Sequence, residues 1–335
     1  MPFVTVSEIK DISEKALRAH GAKEWIAKSV ALAIANSESY GNIICGLYYL
    51  ESYCLQLESG RVNGTIDPQV SIPRPGSILV DAKYGFAQAA FECALPEAIK
   101  AAQTNGTASL SVAHSHTCTS LGYFTSQFAT AGLLAIGFTN ASAIVAPPGG
   151  NKKVIGTNPV AMSVPDGQGG LSVHFDFSTS AVALGKITMA KAAGEKIPLG
   201  WAVDSEGIPT TDPESALLGS LVSAGDYKGW GLGVLVEILA AGITGSVNSM
   251  DVNGLKLTEG EPHGLGQFYF IIDPETHHSD FGARLARLSD AVELQKGARL
   301  PGAQRVPMDK ITVSEKLWQY EVLLGNGPGC TDHAF

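Results

Sequence analysis

The sequence predicts a mixed α/β protein whose two ends are helical. Three observations carry this. From residue 78 to residue 272, short apolar runs rich in Val, Ile, Leu and Phe alternate with longer stretches of helical spacing. Before and after that core the periodicity is helical almost throughout. The chain of 335 residues is 45% hydrophobic and 16% charged, ample for a core and far from a disordered composition, and its 38 glycines indicate many tight turns.

The first helix is expected over 5–21, because Thr5 and Ser7 with Glu8 offer capping groups, Ile9, Ile12, Ala16 and Leu17 share a face, and Gly21 can stop it. A second is expected over 22–36, with Trp25, Ile26, Val30 and Ala33 inward, and a third over 46–57. Residues 58–76 concentrate Gly and Pro and read as the first boundary. Strands are then expected at 78–81, 109–113, 134–138, 160–164, 171–175 and 267–272, and helices at 86–104, 122–131, 186–193 and 229–241. The chain closes with helices near 279–296 and 313–324, the latter opened by a capping box from Thr312 to Glu315. Strand order is not legible from this pattern.

The formal charge is −9, with no basic run to offset it, which argues against nucleic acid and anionic membranes as partners. No apolar run approaches a membrane span, and the N-terminus lacks the regions of a signal peptide. Five cysteines without CxxC spacing (45, 54, 93, 118, 330) read as reduced thiols of a cytoplasmic protein, with Cys54 and Cys93 in helical cores and Cys330 exposed and inert. No set of three or four metal ligands converges, so no metal is expected. His174 reads as a satisfied strand histidine, Trp201 as a packed aromatic, and His277, His278 and His333 as exposed.

Common chemical motifs are absent. Gly229-Trp-Gly-Leu-Gly233 follows no strand and reads as helix packing rather than a dinucleotide fingerprint. The polar loops say more. His114-Ser-His-Thr-Cys-Thr-Ser120 lies between a strand and a helix, where hydroxyls and N–H groups at a helix N-terminus can bind phosphate, although a capped turn explains it equally. Asp176-Phe-Ser-Thr-Ser180 ends a strand, and its carboxylate could hold a ribose hydroxyl or cap a helix.

Taken in order, Gly156-Thr-Asn-Pro159, Phe175-Asp-Phe-Ser-Thr-Ser180 with Gly185-Lys-Ile187, Ile197-Pro-Leu-Gly-Trp-Ala202 with Pro209-Thr-Thr-Asp-Pro213, and Tyr227-Lys-Gly229 with Val236-Glu237 resemble the malate/L-lactate dehydrogenase family over nearly the whole chain. This non-Rossmann group also contains sulfolactate, ureidoglycolate and diketogulonate dehydrogenases and the Δ1-piperideine-2-carboxylate/Δ1-pyrroline-2-carboxylate reductases. The resemblance implies an NAD(P)-binding mixed-sheet domain (75–275) and a helical domain formed by 1–74 with 276–335. It further implies a homodimer and hydride transfer between NAD or NADP and C2 of a small 2-oxo or 2-imino acid.

By matching positions, the resemblance assigns cofactor contacts to Thr117, Cys118, Thr119, Ser120, Asp176, Phe177, Ser178, Tyr227, Lys228, Leu300, Pro301, Gly302 and Arg305. Thr157, Leu184, Gly185 and Tyr48 fall at substrate positions.

One segment departs from the family. Its usual Ser-His-Gly-x-x-Arg-Leu run, whose His donates a proton and whose Arg holds the substrate carboxylate, aligns with Ile44-Cys45-Gly46-Leu47-Tyr48-Tyr49-Leu50. The usual loop His falls at Thr117, with His116 one residue earlier, and the acidic partner of the imine reductases falls at Lys186. A positioned acid is worth roughly 10²–10⁴ in rate, so the candidates for a rewired catalytic set are Cys45, Tyr49, His116 and Lys186. Three readings stay open: a 2-oxo acid reductase with a new acid, a cyclic imine reductase whose substrate arrives protonated, and an inactive nucleotide-binding homologue. The Ile44, Cys45 and Tyr49 trio implies a pocket more apolar than the family norm.

Overall fold

The computed structural model describes residues 2–329, so Cys330 and His333 lie outside the described residues. Strand β1 (Phe3–Thr5) leads into helix α1 (Val6–Ala19) through a complete capping box. The Thr5 Oγ1 accepts the Glu8 N–H at 3.1 Å and the Glu8 carboxylate accepts the Thr5 N–H at 2.7 Å. Helix α2 (Glu24–Ser39) follows.

The expected helix over 46–57 starts late. Two single 3-10 turns, Ile43–Cys45 and Leu47–Tyr49, precede α3 (Leu50–Glu58). The cause is Glu38. Its buried carboxylate accepts the Leu47 N–H at 2.7 Å, and Gly46 adopts φ −103°, ψ −128° beside it. A Cβ on Gly46 would lie 2.2 Å from the Glu38 carboxylate, so only glycine fits this break.

The central region runs β2 (Gln69–Arg74), β3 (Ser77–Asp81), α4 (Ala87–Asn105), β4 (Thr107–Ser115), α5 (Leu121–Thr130), β5 (Leu134–Thr139), β6 (Val160–Pro165), β7 (Leu171–Phe177) and α6 (Leu184–Ala193). A small excursion of β8 (Ala202–Val203), β9 (Pro209–Thr210), α7 (Pro213–Leu218) and β10 (Ser220–Leu221) precedes α8 (Tyr227–Glu237), which continues as a π-helical turn over Ile238–Ile243. Then come β11 (Leu265–Ile272), α9 (Pro274–His277), α10 (Phe281–Glu293), β12 (Lys310–Thr312) and α11 (Glu315–Leu324). No helix of the described residues is long and apolar enough to cross a membrane.

Seven strands form one sheet in the order β2-β3-β4-β11-β5-β6-β7, and only the β3/β4 pair is parallel. Strand β2 was hidden inside the Pro/Gly-rich boundary. It carries Pro73, which an edge strand tolerates because no neighbour needs that missing donor. Helices α4 and α5 cover one face, burying Phe91, Phe124, Phe128 and Tyr269 in mutual edge contacts. A second cluster joins both chain ends: Val4, Ile9, Leu17, Ile26 and Val30 pack with Ile311, Val313, Tyr320 and Leu324, while β1 pairs with β12 from Phe3↔Thr312 to Thr5↔Lys310.

That pairing corrects the expected C-terminal cap. Thr312 is engaged in β12, and Ser314 caps α11 instead, its Oγ accepting the Leu317 N–H at 3.2 Å. Cys93 is also corrected: it is exposed on α4, whereas Cys54 is buried. Gly229 and Gly233 act as packing glycines. A Cβ on the first would strike the Ala224 carbonyl at 2.0 Å, and one on the second would strike Ile155 at 2.6 Å. Trp201 packs against the cluster of Val145, Ile155 and Ile197.

Candidate active site

The C-terminal end of β7 meets the N-terminus of α5. The Asp176 carboxylate accepts the Gly122 N–H at 2.8 Å and the Ser120 hydroxyl at 3.3 Å. Asp176 takes these donors in the structure and sits in the positive field of the helix N-terminus. Of the two readings of this loop, phosphate site or capped turn, that contact fits the capped turn. Burial still holds the Asp176 carboxyl above its usual value, against the lowering pull of Gly122, Ser120 and Arg305.

The segment over 300–305 docks on the same strand. The Pro301 carbonyl accepts the His174 N–H at 3.0 Å. Gly302 has φ +88°, and a Cβ there would lie 2.8 Å from the His174 nitrogen. Arg305 reaches the His174 ring with one guanidinium nitrogen and stacks on Tyr40, its guanidinium carbon 4.1 Å from the ring centroid. The Arg305 Nε is buried without a partner. His174 Nδ1 bonds Ser163 Oγ at 2.8 Å, and burial, aided by Arg305, takes the imidazole down to about 4. Phe177 is half exposed, stacked on Phe175 at 4.8 Å, and Ser178 donates to the Ser180 carbonyl.

Facing this edge is the 3-10 segment that carries Cys45. Burial and the nearby negative charge of Asp176 push the Cys45 thiol up to about 12. Burial likewise raises the phenol of Tyr49, which neighbours Cys45, Tyr48 and Cys118. Cys118 is buried and its thiol is raised in the same way. These groups keep their protons at neutral pH. At pH 8 a thiol at about 12 is thiolate in only about one molecule in 10⁴. Iodoacetamide on native protein is therefore expected to modify the exposed Cys93 well before Cys45. Peptide mapping that finds Cys45 alkylated first would refute the burial account.

The other predicted residues are spread around this centre. Thr119 has φ +59° and donates to the Cys118 carbonyl at 2.7 Å. The Thr117 N–H reaches His263 Nδ1 at 3.3 Å. The Thr157 carbonyl accepts both the N–H and hydroxyl of Thr179, at 2.9 and 3.0 Å. Leu184, Gly185 and Lys186 open α6 and are exposed, as are Tyr227 and Lys228 at the start of α8, with the Lys228 Nζ 5.9 Å from the Tyr227 ring centroid. Leu300 is partly buried.

His116 pairs with Gln56 and His263. Its Nε2 bonds the Gln56 amide oxygen at 2.7 Å, and its ring stacks on His263 at 4.1 Å between Tyr53 and Phe86. Burial, with His263 and Arg61 adding repulsion, holds its pKa well below the ordinary value, and burial brings His263 to about 3. A histidine neutral in the fold but titrating near 6.5 when unfolded stabilises the protein fully above about pH 6.5. That contribution is lost as pH falls toward the folded value. His263→Gln is therefore expected to flatten the decline of thermal midpoint between about pH 7 and pH 4.5. Parallel melting curves for variant and wild type would contradict this.

Sequence reading missed four residues that this region assembles. Arg61 is 2% exposed and Gln56 fully buried, and both donate to carbonyls of the loop over 254–261. Arg61 Nε reaches Glu261 O at 3.0 Å and Nη1 reaches Gly254 O at 3.0 Å and Leu257 O, while Gln56 Nε2 reaches Leu255 O at 2.9 Å and Leu257 O at 2.6 Å. His263 ends that loop. Lys256, at its tip, lies over the Tyr48 ring with Nζ 3.5 Å from the centroid. Nothing local in the sequence marked Arg61 as buried.

Comparison with known proteins agrees with this geometry. The model of the malate/L-lactate dehydrogenase family matches residues 4–316. A (2R)-3-sulfolactate dehydrogenase (NADP(+)) of Chromohalobacter salexigens is 37% identical over 304 residues, 90% of each chain. A Δ1-pyrroline-2-carboxylate reductase of Ancylobacter novellus is 36% identical over 308 residues, 90% of this chain and 89% of the relative. The solved Δ1-piperideine-2-carboxylate reductase of Pseudomonas syringae superposes with a TM-score of 0.90 at 29% identity, covering 97% of this chain and all of the other. With the mixed seven-stranded sheet and the paired chain ends, these matches place the protein: it belongs to the malate/L-lactate dehydrogenase family of oxidoreductases.

Proposed function

We propose that the protein reduces a small cyclic 2-imino acid, such as a Δ1-pyrroline- or Δ1-piperideine-2-carboxylate, using a nicotinamide dinucleotide. One observation carries this reading: none of the shifted groups gathered near Asp176 gives up a proton near neutrality, while a carboxylate stands beside Cys45. Cys45 and Tyr49 are too weakly acidic, and His174, at about 4, is neutral. A substrate protonated on nitrogen brings its own proton. Its positive charge suits Asp176, whose carboxylate is fixed by Gly122 and Ser120.

The donor set suits the dinucleotide. Lys228 supplies a cation, Phe177 an exposed ring, and Arg305 a buried N–H without a partner, while Thr117, Thr119, Ser120 and Ser178 line the same loops, the last three with hydroxyls that already donate to Cys118, Asp176 and Ser180. When bound, the reduced nicotinamide supplies the hydride for C2. The protein's part is to hold the substrate over Asp176, keep Cys45 protonated beside it, and close the 300–305 segment on β7 through Gly302. Leu184, Gly185 and Thr157 border the substrate in this proposal, and Lys186 stands at its rim.

A second reading is the reduction of a 2-oxo acid with the Cys45 thiol as proton donor. Lys186 favours it, because a cation stands where the imine reductases carry an acid, and so does the identity to the sulfolactate dehydrogenase. A thiol at about 12 is a poor acid for that step. The test is loss of reduced-nicotinamide absorbance, with NADH and NADPH, on cyclic 2-imino acids and on pyruvate, oxaloacetate and 3-sulfopyruvate. The expected result is a kcat/KM for an imine roughly tenfold or more above any 2-oxo acid. The reverse order assigns the second reading, and cofactor binding without turnover assigns an inactive homologue.

The proposal includes a homodimer in the cytoplasm, which the exposed Leu235, Ile238 and Ile243 on the α8 extension and the unpaired thiols support. It also includes the division into 1–74 with 276–335 and 75–275, supported by the shared cluster of the two chain ends.

A further inference from the structure

By the resemblance, the family's carboxylate-holding Arg falls at Tyr49, whose partly buried phenol carries no charge at neutral pH. A carboxylate substrate entering beside Cys45 and Tyr49 still needs a cation. We infer that Lys256 supplies it: Lys256 is the substrate-carboxylate contact, delivered to the pocket from the far loop rather than from the helix that carries Cys45. This rests on the reading of the protein as a reductase of small 2-imino or 2-oxo acids.

Position is the first support. The Lys256 Nζ lies 3.5 Å from the centroid of the Tyr48 ring and 5.7 Å from that of Tyr49, and it donates to the Tyr48 carbonyl at 3.2 Å. The ammonium is thus held over the residue next to Tyr49, the position that matches the family's Arg by resemblance. One of its three N–H groups is engaged by that carbonyl. Among the described residues no carboxylate lies within 4.0 Å of Lys256, so its charge is not neutralised within the protein.

The second support is how the loop is held. Arg61 is almost wholly buried, yet its guanidinium bonds carbonyls of Gly254, Leu257 and Glu261 and no carboxylate. Gln56 holds the carbonyls on either side of Lys256, those of Leu255 and Leu257. The Ser59 hydroxyl holds the Thr258 carbonyl at 2.7 Å. Burying a cation is costly, and here the cost is offset by the loop carbonyls that Arg61 Nε and Nη1 reach, while Nη2 stays buried without a partner. Here three side chains from α3 and the turn after it fix the backbone on both sides of one exposed lysine. That lysine is consequently preorganised over the aromatic pair, which lowers the ordering cost of binding.

A lysine is a point charge without the planar fork of arginine. The pocket therefore binds a carboxylate through one ammonium against the Tyr48 and Tyr49 rings. It tolerates ring size and anion shape better than a bidentate clamp does.

The experiment separates this inference from the reading beneath it. Turnover of cyclic 2-imino acids by the wild type tests the reading. Binding tests the inference, by calorimetry on the full chain saturated with NADP or NAD, using pyrrole-2-carboxylate, a planar analogue that cannot be reduced, and its neutral partner pyrrole-2-carboxamide. The wild type is expected to prefer the carboxylate by roughly 10- to 100-fold. Lys256→Ala is expected to abolish that preference while leaving cofactor affinity and melting temperature in place, and Lys256→Arg to retain most of it. If the reading holds, Lys256→Ala also raises KM for the imine far more than it lowers kcat. An unchanged preference in Lys256→Ala, or no preference in the wild type, overturns the assignment.

Discussion

Replacing Asp176 by Asn is expected to lower kcat/KM for a cyclic imine by roughly 10²–10³-fold, the scale of removing a preorganised charge from a reacting centre. Asn preserves the shape, because its amide oxygen can still accept the Gly122 N–H at the start of α5. The loss would come from charge alone. A positive nitrogen at the substrate loses the carboxylate that opposes it, whereas a 2-oxo acid, which develops negative charge on oxygen, is relieved of a like charge. The ratio of imine to 2-oxo acid activity should therefore collapse in Asp176→Asn, with the melting temperature held close to wild type. Equal losses on both substrate classes would sink the electrostatic assignment and leave Asp176 as a helix cap. Removing that carboxylate should also let the Cys45 thiol ionise more readily, since Asp176 is the second cause of its raised pKa.

The second large effect concerns stability. Arg61→Ala removes the donor to three loop carbonyls in one substitution, in a site only 2% exposed. The lost loop anchors and the cavity left by this buried side chain together cost about 2–4 kcal/mol, although Leu257 O keeps Gln56 as a donor. Urea unfolding would show this as a lower midpoint with little change in slope. Limited proteolysis would locate the new weakness between residues 254 and 263. The variant should bind pyrrole-2-carboxylate weakly even where it remains folded, because the lysine is no longer held over Tyr48. A midpoint within measurement error of wild type would mean that the loop is anchored elsewhere, by Gln56 and the His116–His263 stack.

Much of the fold was legible because it depends on local repetition. The helices at α1, α2, α4, α5 and α10 and the strands at β4, β5, β6, β7 and β11 appear within a few residues of their predicted bounds, since apolar spacing alone identifies which face each buries. Errors arose where a distant group intervened. Glu38 broke the third helix by drawing the Leu47 N–H to its own carboxylate. Pairing with β1 drew Thr312 into a strand and left the cap to Ser314. Strand β2 was obscured because Pro73 reads as a breaker unless the strand is known to lie at an edge.

The site divides in the same way. The family's motifs were visible in the letters of the sequence, and the cofactor-loop residues and the match of Cys45 and Tyr49 to the family's His and Arg are what that resemblance implies. Their consequences were not visible there. A cysteine's acidity follows from burial and a neighbouring carboxylate, and here both come from the fold. Whether Asp176 binds a sugar, caps a helix or faces a substrate depends on which helix start lies above β7. Lys256 and Arg61 are nearly 200 positions apart in sequence, and no local pattern connects an exposed lysine on a Gly-rich loop to a buried arginine beyond a helix.

By itself, the sequence determined the family, the alternation of strands and helices, and the class of cofactor. Those properties are written in residue identity and in spacing along the chain. Only the tertiary structure decided that Asp176 occupies the α5 N-terminus, that His116 stacks on His263, and that a lysine from a distant loop stands over Tyr48. The physical reason is that charge, burial and hydrogen-bond partnership are properties of neighbours in space, and here those neighbours come from segments that meet only when the chain closes.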